Sequence, residues 1–152
     1  MKRRIRSTAL VLLLGFAVAQ LIQPNTQNPP IDVKRSLWSD QRVDPRVAGI
    51  MRRACANCHS NGTKWPWYAR ISPVSWWLAS HVSNGRAKLN LDDWTAASAA
   101  QADKLEEIYD SIVKSKMPMA SYLLMHPEAR LSPAERDILL AWADGKLPQS
   151  SR

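Results

Sequence analysis

The residues best placed to do chemistry are Cys55, Cys58 and His59, in the run Cys55-Ala56-Asn57-Cys58-His59. Two thiols three positions apart at a helix end can add to the two vinyl groups of a haem, and the adjacent histidine then lies under the iron. Competing uses fit less well. A thioredoxin-like C-x-x-C calls for a βαβ setting, and no alternating strand pattern occurs here. A structural zinc site calls for four ligands, but there is no third cysteine, and His81 and His126 are not suitably paired. The expectation is haem c held through Cys55 and Cys58, with His59 as the proximal iron ligand.

The other face of the iron needs a second ligand. Met117, followed by Pro118, falls in a segment expected to be irregular between two helices, where a thioether can reach the far face. The plainer reading of Met117 is core filler, since methionine commonly plugs gaps, and Met119, two residues away, is its main rival as ligand. His81 and His126 are further rivals, and either would give bis-histidine ligation with a lower potential. An open site is the remaining alternative. Arg70, Arg86 and Lys88 are candidate partners for haem propionates, because guanidinium groups match carboxylates in bidentate fashion. Trp65, Trp67 and Trp76 are candidate haem contacts, and seven Trp against one Phe suits a chain that wraps a large flat cofactor.

These residues need helices to position them. Asp44-Pro45 reads as an N-cap followed by proline at the first helical position, and Val47, Ile50, Met51 and Ala54 recur at helical spacing up to Cys55. The stretch from Asn61 to Trp77 carries Gly62, Pro66, Pro73 and most of the Trp residues, which predicts a structured loop. A short helix through Trp76–Val82 is expected to stop near Asn84-Gly85. Asp92 is placed to cap a helix over roughly 93–115, with Leu105, Ile108 and Ile112 facing inward. The segment 117–131 is read as irregular. Ser132-Pro133-Ala134-Glu135 is a capping box opening a last helix, with Ile138, Leu139 and Trp142 inward and Gly145 as its stop. The pattern is all-α.

The formal charge of +8 at first suggests nucleic acid, but Lys2, Arg3, Arg4 and Arg6 account for half of it. Without those four, 17 Lys and Arg stand against 13 Asp and Glu, with no basic stripe, so no nucleic-acid partner is expected. The same basic start, an apolar run from Ala9 to Ala19 and the small-x-small triplet Ala17-Val18-Ala19 read as an export signal or an uncleaved anchor. The absence of charge between Arg6 and Asp32, and the Pro- and Asn-rich run from Gln23 to Pro30, favour an anchor with a tether. Either reading carries the domain across the inner membrane to the periplasm. The expected organisation is 1–22 signal peptide or membrane anchor, 23–40 linker, 41–146 haem-binding domain and 147–152 tail.

Beyond C-x-x-C-H, one ordered block is present: Trp65-Pro66-Trp67-Tyr68, Pro73-Val74-Ser75-Trp76, His81-Val82, Gly85-Arg86, Leu89-Asn90 and Trp94, then Met117-Pro118, Tyr122, His126-Pro127 and Leu131-Ser132. With this block the chain resembles the bacterial haem-binding domain family of small cytochrome-c-like proteins, from roughly Pro30 to Gly145. The resemblance implies a cytochrome-c-like helical domain wrapped around one covalent haem, often tethered by an N-terminal hydrophobic helix. Such domains commonly carry a second proline after Met-Pro, and here Met119 takes that place. The expected function is one-electron transfer with redox partner proteins, a carrier rather than an enzyme. The alternative is a peroxide- or gas-reactive haem enzyme or sensor with an open or displaceable sixth site.

Overall fold

The computed structural model describes residues 2–94 and 98–147. Seven α-helices occur among the described residues, and no strand: α1 (Lys2–Ala19), α2 (Pro45–Ala54), α3 (Ala56–His59), α4 (Val74–Lys88), α5 (Ser98–Val113), α6 (Ala120–Met125) and α7 (Pro133–Ala143). Short 3-10 turns at Val33–Arg35, Leu37–Ser39, Trp67–Arg70 and Pro127–Ala129 complete the secondary structure. The all-α expectation holds.

α2 forms for the reasons its sequence gives. The Asp44 carboxylate accepts from the Arg46 N–H at 2.7 Å, Pro45 occupies the first turn, and Val47, Ile50, Met51 and Ala54 are the buried face. Fully burying a side chain of the Val or Ile kind stabilises by about 1.5–3 kcal/mol. That stripe therefore fixes which way Cys55, the C-cap, leaves the helix. α7 carries the expected capping box, with Ser132 accepting from the Glu135 N–H while Glu135 accepts from the Ser132 N–H. It ends at Gly145, whose φ of +68° is the left-handed value glycine adopts without strain.

Two apolar clusters result. The larger joins α2, α5 and α7 through Val47, Ile50, Met51, Ile108, Ile112 and Leu139, with Leu37, Leu91 and Trp94 brought in from the loops. The smaller is Ala69, Leu78 and Val82, where the 67–70 turn packs on α4. Cys55 packs against the first cluster and Cys58 against the second. The C-x-x-C-H run is the seam between them.

Several expected elements differ. α4 begins at Val74 and runs through Gly85 to Lys88, because Gly85 is needed for close approach rather than for termination. Asp92 caps no helix. Its buried carboxylate accepts from Ser36 Oγ (2.8 Å), Trp38 Nε1 (3.1 Å) and the Asn61 N–H (2.8 Å), a full set of donors for a charge removed from water. The next helix is α5, starting at Ser98, with Ile108 and Ile112 buried and Leu105 packed on the core as expected. The 117–131 segment is not irregular throughout, since it contains α6 and the 127–129 turn.

The N-terminal hydrophobic segment is a helix, α1, but no described helix is long and apolar enough to cross a membrane. The physical reason is length and charge. Eighteen residues span about 27 Å at the α-helical rise, against about 30 Å of hydrocarbon, and the first turns carry Lys2, Arg3, Arg4 and Arg6. The expected transmembrane helix is corrected to a shorter apolar one. Residues 23–32 are extended, but they lie along the domain rather than leading away from it. Asn28 Nδ2 donates to the Thr63 carbonyl (2.8 Å), the Pro30 carbonyl accepts from Asn61 Nδ2 (2.9 Å), and Leu37 is buried. At the other end Leu147 packs against the larger cluster, and residues 148–152 of the expected tail lie outside the described residues.

Candidate functional site

A cavity of about 750 Å³ opens beside the seam, within the size range of cofactor sites. Cys55, Cys58 and His59 form one wall with Gly85 and Leu89; Met117, Met119 and Tyr122 form part of another; Met51, Ile108, Ile112, Leu131 and Leu139 supply apolar lining from the main cluster. The sequence-predicted thiols, the histidine and both candidate methionines are thus gathered around one space.

The histidine is held by backbone. Nδ1 of His59 lies 3.0 Å from the Gly85 carbonyl oxygen and 3.0 Å from that of Leu89. A carbonyl only accepts, so Nδ1 carries the proton and Nε2 is left with its lone pair free. This is the outer-shell arrangement that fixes tautomer and ring orientation in metal-binding histidines. It requires α4 to pass very close to α3. A Cβ on residue 85 would meet the Cys58 carbonyl oxygen at 3.0 Å and His59 Cε1 at 3.5 Å, so only glycine fits without displacement. The loop beyond is clasped too: the Leu91 N–H donates to the His59 carbonyl at 2.7 Å and the Leu37 N–H to the Leu91 carbonyl at 2.7 Å.

Both thiols are free and desolvated. Burial pushes Cys55 up to about 12 and raises Cys58 as well. Among the described residues there is no group of three or more Cys, His, Asp or Glu placed to hold a metal ion. A broad cavity with two thiols and one backbone-oriented imidazole in its wall fits a haem.

Elsewhere in the lining Met117 is partly exposed and Met119 half-buried. They are delivered by the end of α5, where Ser115 takes φ +50° and the Lys116 and Ser115 N–H groups donate to the Ser111 and Ile112 carbonyls at 2.9 and 3.0 Å. This is a Schellman turn with serine where glycine is usual. His81 also lines the cavity, with Nδ1 2.8 Å from the Trp77 carbonyl. His126 does not line it. Its Nε2 pairs with the Tyr68 hydroxyl (2.8 Å) and its Nδ1 with Glu128 Oε1 (3.0 Å), so neither nitrogen is free.

The candidate haem contacts fare differently from the ligands. Arg86 is occupied by the protein, donating to the Ser60 carbonyl (2.8 Å), Asn28 Oδ1 (2.7 Å) and Thr63 Oγ1 (2.6 Å). Arg70 is exposed, away from the lining. Trp65 donates to Asn28 Oδ1 and Trp76 to the Ile22 carbonyl, Trp67 faces solvent, and none of the three lines the cavity. The proline breaks of 66 and 73 turn this loop toward residues 20–30 instead. Of the expected propionate partners only Lys88 lines the cavity, joined by Lys114 and Lys116, which nothing in the sequence pattern marks for that purpose. Tyr122 is a lining residue that sequence reasoning missed, although its place in the ordered block was a signal. Its hydroxyl accepts from Asn57 Nδ2 at 3.4 Å, and burial raises it to about 12.

A helical domain with this seam and cavity defines a haem-binding class of protein. A family model for the haem-binding domain matches residues 14–145, most of the chain, and the chain belongs to that family. No curated protein and no solved structure matches it.

Proposed function

We propose that this protein is a c-type cytochrome working as a one-electron carrier on the periplasmic side of the inner membrane. The observation that carries the reading is the histidine beside the thiols: His59 has its Nδ1 proton committed to two backbone carbonyls and its Nε2 left for iron, in the same wall as Cys55 and Cys58. Cys55 and Cys58 would hold the haem covalently through its two vinyl groups, and the helical domain would enclose it as a cytochrome c does. When bound, haem supplies a ferric–ferrous couple, and the protein contributes ligation, burial and a docking face.

Met117 is the proposed second ligand, with Met119 its neighbour in the same wall. With methionine and histidine as its ligands a bound haem would have a raised potential, and the apolar lining from Met51, Ile108, Ile112 and Leu139 would favour the less charged ferrous state. Lys88 and Lys116 are the lining cations available to haem propionates, Lys114 being paired with Asp110. Export is supported by the basic start and apolar run of α1.

A pyridine haemochrome assay on the purified protein should give the spectrum of haem bound through two thioethers, and the haem should stay with the chain on a denaturing gel. The ferric protein should show a weak absorption band near the red end that disappears in Met117→Ala; its persistence there and loss in Met119→Ala would move the assignment. Iron that ignores carbon monoxide and peroxide supports the carrier. Rapid binding of either would support a peroxide- or gas-reactive protein, with His81 as the group available for acid–base work.

A further inference from the structure

Helix α1 is apolar on every side from Ala9 to Ala19, and none of its residues is buried against the rest of the chain. A helix of that kind needs cover that the protein itself does not supply. The segment after α1 is no loose tether. The Gln20 side chain amide accepts from the Ser72 N–H (3.0 Å) and donates to the Ser72 carbonyl (3.1 Å), as a neighbouring peptide would. The Ile22 carbonyl accepts from Trp76 Nε1 at 2.6 Å and from Ser72 Oγ at 3.3 Å, and Gln23 Nε2 reaches the same hydroxyl at 3.3 Å. Ser72 is fully buried beneath this clip. Five hydrogen bonds thus fix where α1 leaves the domain.

Around that exit the surface is unusually apolar. Trp67 is 72% exposed, Val74 43%, Trp76 38% and Trp77 45%, all within the turn and helix start that flank Ser72. Exposed tryptophan beside an apolar helix is the composition of a membrane–water interface, where the ring is apolar and the N–H is wet. The charges of α1 are all basic and lie at its far end, which suits anionic headgroups.

We propose that the Trp67–Trp77 surface rests on a lipid bilayer, and that the Gln20–Gln23 clip to Ser72 and Trp76 holds the haem domain on it in one orientation. α1 lies along the lipid surface rather than crossing it: its apolar run from Ala9 to Ala19 is about 16 Å long at the helical rise, and the basic residues of its first turns stay among the headgroups. The inference rests on the reading that α1 stays attached and meets a membrane, but it adds an orientation that a flexible tether would not impose.

The test uses the full chain with its haem, labelled with 5-fluorotryptophan and mixed with phosphatidylglycerol–phosphatidylethanolamine vesicles, with and without a doxyl spin label on the lipid. Fluorine resonances are assigned by single Trp→Phe variants, and both samples are kept in the same oxidation state. The spin label should abolish the signals of Trp67, Trp76 and Trp77 and leave those of Trp38, Trp94 and Trp142 in place. Gln20→Ala with Gln23→Ala should still float with the vesicles while the Trp67 and Trp77 signals return. Flotation with those two signals untouched in the unsubstituted chain would overturn the oriented surface and leave attachment standing. No flotation, or self-association in place of it, would overturn both.

Discussion

The two walls of the cavity are built to different standards. The wall of Cys55, Cys58 and His59 is fixed before any ligand arrives: Cys58 packs on the cluster of buried Val82, His59 Nδ1 has two carbonyl acceptors, and Gly85 leaves no slack between α3 and α4. The wall of Met117 and Met119 is a short connection between α5 and α6, with Met117 partly exposed and a serine in left-handed conformation before it. On the proposed reading the first wall holds the cofactor and the second sets what it does. Substitutions in the first should alter stability and attachment together, whereas those in the second should alter spectrum and reactivity at little cost in stability.

The largest effect is expected from Cys55→Ala with Cys58→Ala, which should abolish haem on a denaturing gel; covalent haem surviving in that variant would remove the c-type reading. Gly85→Val comes next. It forces a side chain into the 3.0 Å approach to the Cys58 carbonyl, and overpacking of this kind costs about 1–3 kcal/mol, readable as a lower urea midpoint together with weaker haem incorporation. An unchanged midpoint would show the wall to be looser than its geometry.

Asp44→Ala should cost about 1 kcal/mol through the lost cap of the helix that delivers Cys55. This loss has a pH signature. Hydrogen bonding to Arg46 holds the Asp44 carboxyl below its ordinary 3.8, so the native state favours the ionised form. The stability difference between wild type and variant should be full above the ordinary carboxylate range and shrink as pH falls through the lowered value. A difference constant from neutral to strongly acidic pH would contradict the pairing. The smallest effect, and the only gain, is expected for Ser115→Gly. Left-handed backbone costs an L-residue about 1–2 kcal/mol, and glycine returns part of this as unfolded-state entropy. A rise of about 0.5–1 kcal/mol with unaltered haem attachment would mark the distal turn as the tolerant wall.

Much of the proximal wall was legible in the sequence, because its causes are local. The cap at Asp44, the buried stripe of α2 and the C-x-x-C-H run each depend on residues within one or two turns of each other, and α7 was readable for the same reason. Misread positions depended on distant partners. Gly85 resembles a helix stop until α3 is found against it, Asp92 resembles a cap until Ser36, Trp38 and Asn61 are found donating to it, and Arg86 resembles a propionate ligand until Asn28 and Thr63 are found occupying it. The Trp-rich loop is conspicuous in the sequence, but Trp65 and Trp76 bond to Asn28 and Ile22 rather than lining the cavity.

Residue types and spacing were enough for the all-helical pattern, for three candidate residues that share one wall of the cavity and for the family membership that the ordered block around them announces. These follow from short-range periodicity, capping and thiol spacing, which tertiary contacts do not revise. Only the tertiary structure decided that two carbonyls at the end of α4 aim the imidazole, that both methionines reach the cavity while His126 does not, and that residues 20–30 grip the Trp-bearing loop. Each of those outcomes is a competition between partners far apart in sequence for one donor or acceptor, and packing alone selects the winner.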